Sequence, residues 1–237
     1  MLKFFASKQN YPASNLRHVV IGTATVALLI ANSVTQAAVL DFNYNTTQIA
    51  TSNNFGNGPL LPLGSGSGYI SQSYGDVAGV LDVSYRYFNT SNQHVSSLAP
   101  YPSGYDELVQ VAWGPASTSL GGDRAEVELA SVNGNLVTLT SFRLGAWSSG
   151  SGKQESVRVF ELGNTTPIFD FTGPIGVNNQ SNLFEINANS NSGFLIQWSS
   201  PWWHAIDNVE HTVVPVPASV WLFASAMAGF LGLRRRA

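Results

Sequence analysis

Cysteine is absent from the 237 residues, so no disulfide framework, thiol nucleophile or cysteine-held metal is available to this chain. Charge is scarce. Asp, Glu, Lys and Arg make up 11% of the sequence, against roughly 25% in ordinary soluble domains, and neither sign forms a long run. No Gly-x-Ser-x-Gly nucleophile elbow occurs, and no stretch of the middle offers three turns of helical spacing. What is present is 44% hydrophobic residues together with 22 Gly and 11 Pro that follow no repeat, which excludes a disordered or collagen-like chain. One globular domain with short extras is the expectation, and the two strongest apolar runs lie at the two ends, where targeting signals reside.

The segment Met1 to Arg17 carries Lys3, Lys8 and Arg17 with no acid, and the apolar run Val19 to Ala31 follows it. This is the layout of a secretory signal, with a run too short to span a hydrocarbon core of about 30 Å comfortably. Thr35-Gln36-Ala37 puts small residues at the two positions read by signal peptidase, so cleavage is expected before Ala38 and residues 1–37 read as a signal peptide; an uncleaved anchor is the alternative. No Cys follows the run to accept a lipid and no paired arginines precede it, which leaves general secretion.

At the other end, residues 214–237 begin with Val214-Pro215-Val216-Pro217-Ala218, continue without charge to Leu233 and finish with Arg234, Arg235, Arg236 and Ala237. The uncharged stretch is at the lower limit for a single membrane-spanning helix. Trp221 near its start suits the interfacial belt, and the three arginines fix the tail on the cytoplasmic side with the bulk of the chain outside. The prolines hold the segment before the helix extended and exposed, a form suited to a protease. A proline box, one apolar helix rich in small residues and a terminal arginine cluster together resemble the PEP-CTERM sorting signal of Gram-negative bacteria. Val216 stands where that family has its Glu. The resemblance covers about the last two dozen residues, and it implies processing by an exosortase after a transient stay in the inner membrane. It also implies release to the cell envelope or extracellular matrix, in association with exopolysaccharide and biofilm. A plain carboxy-terminal anchor is the bland alternative.

Residues 38–213 remain as the exported body. All fourteen acids but only five of the eleven basic residues, Arg86, Arg124, Arg143, Lys153 and Arg158, fall in it, so its formal charge is five minus fourteen, −9. Such a surface repels phosphate backbones, and nucleic acid is not an expected partner. Short alternating runs separated by Gly, Asn, Ser and Pro read as strands, among them Val80 to Phe88, Arg124 to Ser131, Leu136 to Trp147, Glu155 to Leu162, Gly193 to Ser199 and Trp203 to Val213. Tyr69 to Tyr74 reads as a further strand. Arg124–Ser131 and the strand from Leu136 read as a hairpin through Asn133-Gly134-Asn135, pairing Leu129 with Leu139 and grouping Glu126, Glu128 and Thr140 on the wet face. About ten such strands in one domain predict an all-β, two-layer antiparallel sandwich of jelly-roll type; a closed barrel is the runner-up.

Few residues offer chemistry. Glu126 and Glu128 share a face and are candidates for the paired carboxylates of a glycoside hydrolase, yet same-face acids two apart are ordinarily the solvated side of a sheet and show no opposed arrangement about a sugar bond. Arg124-Ala125-Glu126 faintly resembles the arginine-bearing strand of jelly-roll polysaccharide lyases, without that group's His and Tyr motifs. His94, His204 and His211 have no metal spacing and read as solvated or locally bonded. Asp123 and Asp207-Asn208 suit either a structural calcium or a turn; no cofactor or metal is assigned. Trp202 and Trp203 are the candidates for stacking on a sugar, with Trp198 expected in the core. The expected protein is thus non-catalytic, an adhesive or carbohydrate-binding module with exopolysaccharide as its partner. Signal peptidase and an exosortase-type enzyme process it. A secreted polysaccharide-degrading enzyme and a purely structural matrix protein are the alternatives.

Overall fold

A computed structural model describes residues 36–42, 69–70, 72–101, 104–115, 123–147, 151–215 and 225. The signal-peptide segment up to residue 35 and the sorting residues Val216, Pro217, Ala218, Arg234, Arg235 and Arg236 lie outside the described residues. No helix among the described residues is long and apolar enough to cross a membrane.

The described chain is built from strands: β1 (Gln36–Leu40), β2 (Leu81–Phe88), β3 (His94–Ser96), β4 (Ala99–Tyr101), β5 (Val111–Trp113), β6 (Arg124–Ser131), β7 (Leu136–Ala146), β8 (Gln154–Glu161), β9 (Phe169–Pro174), β10 (Asn182–Ser190), β11 (Gly193–Ser199) and β12 (His204–Val214). They form two antiparallel sheets. The first has the order β10-β7-β12-β5-β4, with β1 also paired to β12; the second has the order β3-β2-β6-β11-β8-β9. Leaving aside β2 to β5, the pairs nest: β1 with β12, β6 with β11, β7 with β10, and β8 with β9.

Alternation explains which side of each strand is dry. In β2, Leu81, Val83, Tyr85 and Tyr87 are buried; in β11 it is Phe194, Ile196 and Trp198. These side chains join Val137, Leu139, Phe142, Leu144, Ile206 and Val209 of the first sheet in a single core, as expected of a two-layer sandwich. Each large side chain taken from water there contributes about 1.5–3 kcal/mol. The inward set of β7 changes phase between Leu139 and Phe142. Both neighbours are irregular at that level, β10 between Glu185 and Ala188 and β12 between Asp207 and Glu210. Asn187 and Asn208 sit inside these bulges with φ of 49°, a conformation that Asn tolerates better than most residues.

Two expectations need correction. β6 and β7 are not a hairpin: β6 pairs with β2 and β11 in one sheet, and β7 with β10 and β12 in the other. The Asn133-Gly134 step, with φ of 58° and 72°, turns the chain between layers instead. The Asn135 side-chain amide pins that corner to the start of β2 by donating to the carbonyls of Gly79 and Val80 at 3.3 and 3.2 Å. Leu129 and Leu139 therefore both enter the core from opposite sheets. Nor is Tyr69 to Tyr74 a strand, since residues 72–75 are turns. Gln72 nevertheless imitates a ladder partner there, its amide donating to the Tyr85 carbonyl at 2.9 Å and accepting from the Tyr85 N–H at 3.0 Å. Together with Asp76, which accepts from the Val83 N–H, it covers backbone groups of β2 beyond the reach of short β3.

Candidate functional site

The outer face of the first sheet carries a second apolar cluster of Ala99, Tyr105, Leu108, Val111, Trp113 and Ala205, with Tyr101 and Trp147 against it. Strand parity places them: in β5, Ala112 faces the main core while Val111 and Trp113 face outward, and in β12 Ile206 faces inward and Ala205 outward. β4 brings Tyr101 alongside through the pairs Ala99 with Trp113 and Tyr101 with Val111. Trp147 follows β7, and Trp202 lies in the turn between β11 and β12.

Two glycines make the assembly possible. Gly104 has φ of +100°, and a Cβ there would stand 2.5 Å from the Trp147 ring. At Gly145 a Cβ would stand 2.6 Å from the Tyr105 carbonyl oxygen, so only a bare backbone lets the Tyr105 segment lie across β7. The Tyr105 hydroxyl then donates to the Trp202 carbonyl at 2.9 Å and fixes the turn. Burial, with Tyr101 adding to it, pushes the Tyr105 phenol far above its ordinary pKa, so it stays a donor.

Tyr101, Tyr105, Trp113, Trp147 and Trp202 enclose a cavity of about 130 Å³. Their rings meet edge to face. Tyr101 contacts Trp113 at 5.6 Å and 75°, Trp147 at 5.4 Å and 86°, and Tyr105 at 6.0 Å and 83°. Trp202 contacts Trp113 at 4.9 Å and 63°. Trp113 is nearly buried, whereas Trp202 remains 36% exposed. The adjacent Trp203 belongs elsewhere: the Lys153 ammonium sits over its ring at 3.5 Å from the centroid. The structure therefore separates the two tryptophans singled out in the sequence, and Trp198 is 99% buried, its indole N–H donating to the His204 carbonyl. Tyr101 and Tyr105 were not legible as site residues; the Tyr101-Pro-Ser-Gly-Tyr105 spacing, two aromatics about a glycine turn, was the available signal.

The outer face of the second sheet is different in kind. Glu126, 4% exposed at its side chain, accepts from Arg86 Nε at 3.1 Å, Arg124 Nε at 2.8 Å and Gln197 Nε2 at 2.7 Å. Arg86 also pairs with Glu128. Arg124 stacks 4.2 Å above the Phe88 ring and reaches Asn92. Both candidate carboxylates are thus held by the same guanidinium, and the three donors on Glu126 favour its ionised, fixed form over an acid or nucleophile role. A cleft of about 190 Å³ beside them is lined by Asp123, Arg124, Ser156, Arg158, Gln197 and Ser199, with Trp198 below.

A third polar set runs inward from Ser199 at the floor of this cleft. Glu155 Oε2 lies against His204 Nδ1 with both side chains at 0% exposure, and the other Glu155 oxygen accepts from Ser199 Oγ. The order is hydroxyl, carboxylate, imidazole. A nucleophilic triad needs the imidazole in the middle, so this set cannot activate Ser199. His204 and His211 are buried, so of the two expected states, solvated or locally bonded, they take the second; His211 Nδ1 lies 3.4 Å from the Val209 carbonyl, and burial holds its pKa down. His94 is exposed and lies against the Phe88 ring.

The two calcium candidates lie in different sheets. Asp123 stands in the cleft of the second sheet, its carboxyl pKa raised by burial and by Glu155, while its own backbone and the Tyr87 hydroxyl at 3.3 Å pull the other way. Asp207, in the β12 bulge, is pushed up to about 7, chiefly by burial with Asp41 adding to it, against the Asn208 N–H and Arg143. Among the described residues no group of three His, Cys, Asp or Glu side chains is placed to hold a metal ion. The sequence matches no protein-family model and no curated protein.

Proposed function

We propose that the chain is an exported, non-catalytic surface or matrix protein whose sandwich is a jelly-roll-like carbohydrate-binding or adhesive module. The nested pairing of first strand with last supports the jelly-roll wrap. The observation that carries the binding reading is the aromatic cavity with the exposed Trp202 ring on its rim. Aromatic faces pack against the C–H faces of sugars and leave the hydroxyls to water. The polysaccharide-degrading alternative has less behind it, since Glu126 is held by three donors.

Export and sorting are part of the same proposal. They rest on the resemblance of Val214-Pro215-Val216-Pro217-Ala218, the apolar tail and Arg234 to Arg236 to the PEP-CTERM signal, and on the leader. The geometry agrees with a domain held by its ends. Gln36 pairs with Val213, so the chain joins and leaves the sandwich side by side, at one end of the eleven-residue strand β12. The aromatic cavity lies toward the other end of that strand, roughly 30 Å away at about 3.3 Å per residue. Gln36 and Ala37 of β1 fall on the leader side of the expected cut, so cleavage before Ala38 would shorten that strand by two pairs.

Affinity electrophoresis against neutral and acidic polysaccharides tests the binding reading. Retardation by at least one polysaccharide that Trp202→Ala abolishes and Trp203→Ala preserves is the expected outcome. Equal retardation of both variants, or sugar release that Glu126→Gln removes, overturns it. Mass spectrometry of the mature termini tests the export route: a start at Ala38 and loss of the arginine cluster are expected, and an intact Arg234-Arg235-Arg236 end contradicts sorting.

A further inference from the structure

We infer that the aromatic cavity receives one uncharged sugar ring, at a chain end or side branch of a neutral glycan, and not a run of rings along a chain. The inference rests on the binding reading above and sharpens it to a class of ligand. Three features of the cavity carry it.

Shape comes first. A site that grips several consecutive sugars on a chain presents its aromatic faces in a common plane, whereas here Tyr101 stands at 75°, 86° and 83° to its three neighbours and Trp202 at 63° to Trp113. Rings so inclined form walls. Size agrees, because about 130 Å³ is well below the roughly 300–1,000 Å³ of clefts that enclose larger ligands. A cavity of this size has room for no more than one ring, and the exposed face of Trp202 at its rim is apolar.

Charge is the third feature. Among the described residues the lining is two tyrosines and three tryptophans, with no cation to neutralise a carboxylate. Aromatic faces carry the negative part of the ring quadrupole, so they repel an anion that approaches them. The Lys153 ammonium sits over Trp203, outside the lining, and the body as a whole is acidic, with five basic residues against fourteen acids between Ala38 and Val213. A uronic acid therefore meets repulsion at long range and finds no partner at contact.

Isothermal titration of the full chain with named probes tests this. The probes are the methyl glycosides of glucose, galactose, mannose and N-acetylglucosamine, the cello- and malto-oligosaccharides from two to six units, and the galacturonic acid oligomers of the same lengths. At least one neutral series is expected to bind with an affinity that stays within about twofold from one unit to six. The acidic series should bind at least tenfold more weakly, and Trp202→Ala should cost at least about tenfold while Trp202→Phe retains most of the affinity. Affinity climbing more than tenfold with chain length, or galacturonic oligomers binding as well as neutral ones, overturns the inference while leaving sugar binding intact. No binding by any probe, or Trp202→Ala binding like the native protein, overturns the sugar-binding reading itself.

Discussion

On the outer face of the second sheet, Arg86, Arg124, Gln197 and Glu126 close upon one another, and each strong donor already has an acceptor. On the outer face of the first sheet, five aromatic rings meet edge to face, leave a ring-sized gap between them and keep Trp202 partly wet. Both faces look out from the same core, yet they differ in what a ligand would gain. Displacing a satisfied charge network replaces good hydrogen bonds with equivalent ones, so little free energy remains for binding. Covering exposed aromatic surface gains the full hydrophobic and dispersion contribution. Polarity alone is therefore a poor guide to a binding face; the presence of unfinished packing is a better one.

The contrast breaks most directly at Trp113, the ring on which Tyr101 and Trp202 both rest. Trp113→Ala should destabilise the sandwich by about 3–5 kcal/mol in urea unfolding, and a loss below about 1 kcal/mol would mean that the aromatic face is not an integral part of the fold. Next in size is Glu126→Ala, which removes the nearly buried acceptor that three donors share. A cost of about 2–3 kcal/mol is expected, with Glu126→Gln retaining part of it; a neutral result for Glu126→Ala would show that the network is held by water instead.

The sheet that bears the rings also bears Asp207, a nearly buried carboxyl in the β12 bulge, and its titration contrasts with the paired charges on the other sheet. Its folded pKa of about 7 lies above the unfolded value near 3.9. The folded state then holds a proton that the unfolded chain releases, so the contribution of this group to stability is complete below about pH 4, declines up to about pH 7 and is constant beyond. Against native protein, Asp207→Asn should be similar at pH 4 and more stable at pH 8, read as the difference in urea midpoints; parallel profiles would contradict the assignment. The smallest effect belongs to Arg158 and Asp170, an exposed pair at 3.3 Å with both side chains about half exposed. Asp170→Asn should cost about 0.2–1 kcal/mol at low salt and almost nothing in 1 M sodium chloride.

How much of this was legible in the sequence follows from what a period of two encodes. The limits of β6 and β11 coincide with the expected strands Arg124–Ser131 and Gly193–Ser199, and Trp198 is buried as its alternation requires. Alternation states which side chains turn inward, not which sheet holds them, and so the corner at Asn133-Gly134 could be taken for a hairpin. What distinguishes the two is the tie from Asn135 back to Gly79 and Val80, more than fifty residues away in sequence. The aromatic site was half legible for the same reason. Trp202 draws notice beside Trp203, but its partners come from Tyr101 to Trp147 and are gathered by β4, β5 and β7 only once the sheet forms.

The most direct measurement is a nitrogen–proton spectrum of the indole N–H groups, assigned by single Trp→Phe variants and recorded while a neutral sugar that the protein binds is added. The account predicts that the Trp113, Trp147 and Trp202 resonances move together and saturate, while Trp198 in the core and Trp203 beneath Lys153 stay in place. Movement confined to Trp198 and the guanidinium signals of Arg124 and Arg158 would put the sugar on the charged face and contradict it.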